Sequence, residues 1–283
     1  MNDSMKKRIK MDILLFTGAY AFILIILIAS LDNIIFLPQK AVNEEMTPKT
    51  MGFQYEEIFV EVSGGDKLCC WYIPYSPDTS ELTIIYSHGN AENISRALPH
   101  AAVLSKALKA NVFLYDYRGY CKSTGRPSTA VFYDDADLVF KYISERPDQK
   151  TNKFIAYGRS LGGAAAIHMA SKYGSVRAVI SESTFASLPL HAWYNKALFV
   201  FYPFVPDPLP SLKKSGAIKS PWLLIHGDSD TTIDFRNCGE LYNSKSNAPK
   251  EKYIAAGARH NNVYSSDPAA YLKTIEDFMK KVK

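Results

Sequence analysis

Cysteine is scarce in this chain: Cys69, Cys70, Cys121 and Cys238 are the four in 283 residues, and none sits at the spacing of a metal site. That argues against a zinc module or a disulfide-framework fold. Cys69 and Cys70 are adjacent, so on a strand they point to opposite faces, and they read as buried thiols. A Cys121–Cys238 disulfide in an oxidising compartment stays open at this level. Excess charge is lacking as well. The net charge is +5, of which Lys6, Lys7, Arg8 and Lys10 against Asp3 and Asp12 leave about +2 in the N-terminal tail. No basic stretch interleaved with aromatics remains, which argues against nucleic acid as a partner. There is no internal repeat, low-complexity tract or break in composition, so one large α/β domain is expected.

One long hydrophobic run is present. Ile13 to Leu31 carries no charge over 19 residues, roughly 28 Å of helix and close to the thickness of a bilayer core. Residues 11–31 are therefore expected to be a transmembrane anchor after a basic tail at 1–10. The basic cluster precedes the run, and Asp32, Glu44 and Glu45 follow it. The positive-inside rule then leaves the N-terminus cytoplasmic and puts the remainder outside the cytoplasm, periplasmic if the source is bacterial. A cleaved signal peptide is the competing reading, against which stand the length of the run and the poor cleavage site at Ile28-Ala29-Ser30. No polar face interrupts the run, unlike a helix at the surface of a soluble core.

A polar connector is expected over 32–54, followed by a domain over 55–283. Tyr55 to Val62 and Lys67 to Pro74 flank Ser63-Gly64-Gly65-Asp66, the pattern of a β-hairpin. Strand and helix patterns then alternate: strands at 82–86, 111–115, 153–157 and 176–180, with helices at 94–109, 128–145 and 160–173 between and after them. Strands at 222–225 and 252–255 and a helix over 268–281 resume after a gap. Such alternation predicts a mostly parallel sheet covered by helices on both faces. The gap, rich in aromatics and prolines, reads as a small lid over about 185–215.

The strand at 153–157 runs into Gly158-Arg159-Ser160-Leu161-Gly162 and then a helix. A serine held at so sharp a turn needs glycine two residues before and after it to avoid collisions, and the helix N-terminus behind it offers free N–H groups and a positive dipole end. This is the chemistry of acyl transfer, with Ser160 as nucleophile. A serine nucleophile needs a histidine base oriented by a carboxylate. His260 is the histidine that lies between the last strand and the last helix. Asp228 and Asp230, in the loop after Trp222 to Ile225, compete as the acid, and one of them is expected to serve the turn instead. The order serine, acid, histidine is that of the α/β-hydrolases. Leu161 and Asn90 are expected to supply the backbone N–H groups of an oxyanion hole; His88 and His226 read as loop braces. Asn93-Ile94-Ser95 matches a glycosylation triplet, but it opens the helix next to the site and reads as coincidence.

Taken in order, SHGNAENIS, DYRGYCKSTGRPS, GRSLGGAAAIHMAS, ESTF, HGDSD and RHNNVY resemble the α/β-hydrolase superfamily, in particular its membrane-anchored alpha/beta-hydrolase domain-containing branch, which is related to protein depalmitoylases and often labelled peptidase-like. The resemblance covers roughly 55–283. It implies the α/β-hydrolase fold, Asp230 as the acid, and hydrolysis of an ester, thioester or amide without metal or cofactor. In two places the chain departs from the pattern. Cys121 stands where the group usually has glycine, which puts the Arg118–Ser123 loop in question, and Arg259 precedes His260 where a small residue is common. The expected substrate is an acyl ester or thioester, lipid or acylated protein. Aromatics of the lid, Phe185, Trp193, Tyr194 and Phe199 foremost, are expected to line an acyl pocket, to lie against the bilayer, or to be ordinary packing. An aminopeptidase or amidase of the same fold is the alternative, with Glu182 or Asp228 to hold a free amine; a catalytically silent anchored binding module is a third reading.

Overall fold

The computed structural model describes residues 2–43, 45–75, 80–149, 153–195 and 198–282. Lys196 and Ala197 of the expected lid, and Glu44 of the expected connector, lie outside the described residues. The chain opens with α1 (Asp3–Ala29) and α2 (Leu31–Ile35). The hairpin follows as β1 (Glu56–Glu61) and β2 (Lys67–Ile73), paired antiparallel. Next come β3 (Leu82–Ser87), α3 (Ile94–Leu108), β4 (Asn111–Tyr115), α4 (Phe132–Glu145), β5 (Lys153–Arg159), α5 (Leu161–Lys172) and β6 (Val176–Glu182), alternating as the sequence pattern predicts. The lid holds α6 (Leu188–Tyr194), a 3₁₀ helix over Phe199–Phe204 and α7 (Ser211–Ser215). The chain then completes β7 (Trp222–Gly227), α8 (Arg236–Tyr242), β8 (Lys250–Ala255), α9 (Val263–Ser266) and α10 (Pro268–Lys280). Helix α4 starts at Phe132 and not at Ser128, because Asp32 Oδ1 accepts the Thr129 N–H at 2.8 Å and holds that stretch in a turn.

The strands form one eight-stranded sheet in the order β1-β2-β4-β3-β5-β6-β7-β8. From β4 to β8 every pairing is parallel. Helices must then cover both faces, since parallel strands need crossovers. Alternate side chains divide between two cores: Leu68, Cys70, Tyr72, Phe154 and Ala156 meet α4, α5 and α8. Cys69, Trp71, Ile73, Ile155 and Tyr157 meet α3 and α10. The adjacent cysteines thus face opposite layers, and all four thiols are free, so the Cys121–Cys238 pairing left open above is not made. After β3 the chain steps outward to β4, and it returns across β3 to β5. That reversal opens a crevice at the strand carboxyl ends, where open α/β sheets bind ligands.

Residues 32–41 are not the free connector expected of them. Phe36 is 3 % exposed and packs against Phe132, a burial that contributes about 1.5–3 kcal/mol. The Leu37 N–H donates to Asn90 Oδ1 at 2.8 Å, the Cys121 N–H to the Gln39 carbonyl at 2.9 Å, and Asn93 Nδ2 to the Ala41 carbonyl at 2.9 Å. The Asn93 amide is thereby buried and engaged, which leaves no room for a glycan. The hydrophobic core thus extends upstream of residue 55 through Phe36. Helix α1 itself has no buried residue, and its length and apolar composition make it a candidate transmembrane helix.

Candidate active site

Strand β5 ends in a sharp turn at Ser160. Ser160 has φ 53° and ψ −117°, a conformation that costs a non-glycine residue about 1–3 kcal/mol. It is held by its N–H, which donates to the Glu182 carbonyl at 2.8 Å, and by its own carbonyl, which accepts from Thr184 Oγ1 at 2.5 Å. A Cβ at Gly158 would strike the Gly162 backbone, and one at Gly162 would strike the backbone of Ser87. The two glycines therefore let strand, turn and α5 close on one another, as the sequence predicts.

Loops after β5, β7 and β8 bring Ser160, Asp230 and His260 together. Ser160 Oγ lies 3.0 Å from His260 Nε2, and His260 Nδ1 lies 2.7 Å from Asp230 Oδ2. An ionised carboxylate only accepts, so Nδ1 carries the proton and Nε2 is free to accept from the serine hydroxyl. Asp230 Oδ1 accepts the N–H groups of Thr232 and Ile233 at 2.8 and 2.9 Å. Burial alone would raise the Asp230 carboxyl; contacts with His226 and His260 and the Ile233 N–H outweigh it and hold the group well below the usual carboxylate range. His226 is the brace expected of it, its Nε2 donating to the Ile233 carbonyl at 2.9 Å and lying 3.3 Å from Asp230 Oδ2. Asp228 is exposed and serves the turn: its Oδ1 accepts the Gly257 N–H at 2.7 Å, at the start of the loop that carries His260.

Asn90 and Leu161 line the same cavity as Ser160, and neither backbone N–H donates to a partner among the described residues. The side chain of Asn90 does other work, its Oδ1 accepting from the Leu37 N–H and from Tyr120 Oη, each at 2.8 Å. His88 braces the loop through the Gly89 carbonyl, 2.7 Å from Nδ1. One support was not visible in the sequence: Glu92 accepts the Gly89 N–H at 2.9 Å and pairs with Arg159 Nη2 at 2.8 Å, tying the β3 loop to the nucleophile turn. Cys121 adopts φ 47°, so the loop keeps the left-handed turn that glycine favours. Arg259 is exposed, with its N–H on Asn262 Oδ1.

Above Ser160 lies a cavity of about 470 Å³, within the ordinary range for small-molecule sites. Its apolar walls come from Leu27, Leu31, Ile34 and Leu37 on one side and from Phe185, Leu188, Leu198 and Val205 on the other. Of the four lid aromatics expected here, Phe185 lines the cavity. Trp193, Tyr194 and Phe199 do not. Trp193 and Phe199 are about half exposed, and Tyr194 turns away to donate to Glu240 at 2.7 Å under the Arg236 guanidinium. Hydroxyl and ring face thereby find polar partners outside the cavity. The C-terminal end of α1 and the segment around α2 supply the missing wall.

Comparison with known proteins agrees with this architecture. The family model described as "Serine aminopeptidase, S33" matches residues 78–217. The alpha/beta hydrolase domain-containing protein WAV2 of Arabidopsis thaliana is 30% identical over 261 residues, covering 87% of this chain and 85% of the relative. The human alpha/beta hydrolase domain-containing protein 17B is 27% identical over 226 residues, 80% of this chain and 75% of that one. In structure, the Pyrococcus furiosus esterase Pf2001 superposes with a TM-score of 0.71 over 87% of this chain and 98% of the esterase, at 23% identity, a likeness of fold. With a parallel sheet, a serine at the strand–helix turn and relatives along most of its length, the chain belongs to the alpha/beta hydrolase domain-containing proteins of the α/β-hydrolase superfamily.

Proposed function

We propose that this hydrolase is a serine enzyme, anchored in a membrane by α1, that cleaves an acyl ester or thioester. Ser160 Oγ attacks the carbonyl carbon while its proton passes to His260 Nε2; Asp230 steadies the imidazolium, and the Leu161 and Asn90 N–H groups receive the oxyanion. His260 returns the proton to the departing alkoxide or thiolate, leaving Ser160 acylated. Water, deprotonated by the same imidazole, then attacks the acyl-enzyme, and the acid departs as Ser160 is restored. The observation that carries the proposal is the run of hydrogen bonds from Ser160 through His260 to Asp230 on the floor of an apolar cavity.

The cavity also bears on the substrate. An aminopeptidase must hold an ammonium group, which favours a carboxylate in the site; among the described residues that line the cavity there is none. Glu182 is buried and accepts from Tyr157 Oη and Tyr271 Oη, and Asp228 is engaged with Gly257. A silent binding module would carry a strained serine and a buried carboxylate with no use for either.

Fluorophosphonate labelling followed by hydrolysis of p-nitrophenyl esters of graded length tests the reading. Labelling of the parent and not of Ser160→Ala, with turnover of esters, is expected; an unlabelled parent, or equal labelling of both, overturns it. We propose further that residues 1–10 stay in the cytoplasm and 55–283 lie outside it. A reporter active only outside the cytoplasm, fused after Lys283, should give signal; signal from a cytoplasm-only reporter would reverse the orientation.

A further inference from the structure

The lid carries an apolar surface that the site does not use. From Leu188 to Pro206 the sequence holds a single Lys, Arg, Asp or Glu, Lys196, which lies outside the described residues. Trp193, Phe199, Val200 and Phe204 are exposed together, an arrangement that marks an interaction surface. What covers them is indicated by α1. Tyr20 stacks on Phe201 with ring centroids 5.3 Å apart and meets Phe204 edge-on at 6.1 Å. Its hydroxyl donates to the Val200 carbonyl at 2.8 Å.

Tyr20 lies deep within the uncharged run Ile13–Leu31, about 16 Å along the helix from Leu31 at ~1.5 Å per residue. Whatever medium surrounds α1 at that level also surrounds the 3₁₀ segment Phe199–Phe204. The backbone of that segment suits a dry medium, in which unpaired N–H and C=O groups are costly. The Phe199, Phe201 and Val205 N–H groups donate to the Asn195, Leu198 and Tyr202 carbonyls, and Pro203 has no N–H to leave unpaired. The Val200 carbonyl, whose i+3 residue Pro203 has no N–H to offer, accepts instead from the Tyr20 hydroxyl of α1.

The cavity over Ser160 has its flanks at this junction, with Leu27 and Leu31 from the anchor side and Leu198 and Val205 from the lid. We propose that Trp193 and the segment Phe199–Phe204 lie in the lipid layer beside α1, and that the cavity opens there, so that acyl chains enter it from the bilayer. A carbonyl at Ser160 would then sit at the level of α2, with its tail running along Leu27 into the hydrocarbon. The route of the acyl chain rests on the serine-hydrolase reading; the lipid contact does not.

Trp193 is its own reporter, because the other two tryptophans, Trp71 and Trp222, are 2 % and 0 % exposed. The full chain would be reconstituted in phosphatidylcholine vesicles with bromine on the acyl chains. Bromolipid should quench a component of the emission that vanishes in Trp193→Phe, while aqueous iodide leaves it intact. Quenching by iodide and not by bromolipid would overturn the lipid contact, as would protection from both in a chain that proves dimeric. For the route, Phe204→Asp should keep fluorophosphonate labelling and short-ester hydrolysis in detergent, yet lose at least about tenfold on a long-chain thioester embedded in vesicles. Equal activity of parent and variant on the embedded thioester would overturn it. If the parent fails to label at all, the serine-hydrolase reading is what falls, and the quenching result stands apart from it.

Discussion

The floor and the roof of the cavity over Ser160 differ in material and in origin. The floor is polar, buried and tied down: Asp230 accepts two backbone N–H groups, Ser160 is held in a left-handed turn, and Glu92 links the β3 loop to Arg159. The roof is apolar and comes from two segments remote in sequence, around Leu27 to Leu37 and Leu188 to Val205, resting on each other through Tyr20 and residues of the 3₁₀ helix. A site that stabilises developing charge gains from groups that cannot reorient. A surface that receives an acyl chain needs only area and shape. On the serine-hydrolase proposal, chemistry belongs to the carboxyl ends of the strands, and selection of an acyl chain to the α1–α2 segment and the lid.

The sharpest way to break that division is Ser160→Ala. It should lower turnover by roughly 10⁴-fold or more with thermal unfolding unchanged or slightly improved, since the strained turn loses only a hydroxyl. Residual activity near the parent's would mean that the floor does not do the chemistry. Next comes Asp230→Asn, expected to cost roughly 10⁴-fold through a wrong histidine tautomer, against less than about tenfold for Asp228→Asn, whose amide oxygen still accepts the Gly257 N–H. The reverse order would exchange the two roles.

Asp230 also makes a claim on stability. Its carboxyl is held low in the folded chain, so its contribution is present above the unfolded value near 3.9 and is lost as pH falls through the lower folded value. The gap in urea stability between parent and Asp230→Asn should therefore be largest near neutral pH and shrink in strong acid. A gap that does not change with pH would mean that the variant acts through packing alone.

A smaller effect tests the roof. Leu31→Ala with Ile34→Ala removes wall without touching the floor, and should lower kcat/KM for octanoate or longer esters by about tenfold while acetate changes less than about twofold. Equal losses would show that the wall around α2 shapes the floor, through Leu37 and Asn90, and does not read the chain.

How much of this was legible follows from the range of each signal. Ser160 and His260 sit in short motifs whose turn chemistry is local, and the alternation of strands and helices placed them at one end of the sheet; between Asp228 and Asp230 the residues left the choice open, and the resemblance alone favoured Asp230. The pairing of Glu92 with Arg159 joins residues 67 apart and leaves no periodic trace. Phe36 and Leu37 follow the apolar run with only Asp32 and Asn33 as polar residues between, too little to tell a candidate span from core. Cys121 looked like a defect in its loop; at φ 47° it makes the same turn at the cost of a little strain.

The smallest effect concerns the lid aromatics for which the sequence left pocket, bilayer and packing open. Aromatics in a lid announce apolar surface but not its direction, and direction depends on which polar partners lie within reach. Tyr194 has Glu240 and the Arg236 guanidinium; Trp193 packs against Tyr202 on the outer side with half its surface free. Trp193→Ala and Phe199→Ala, assayed in detergent on soluble esters, should leave kcat/KM within about twofold of the parent at every chain length, as expected of exposed positions outside a site. A loss that grows with chain length would bring these side chains into the cavity and move the selecting surface from the anchor to the lid. If both lengths fall together, the outer aromatics brace α6 over His191 and Ala192, and floor and roof are mechanically one unit.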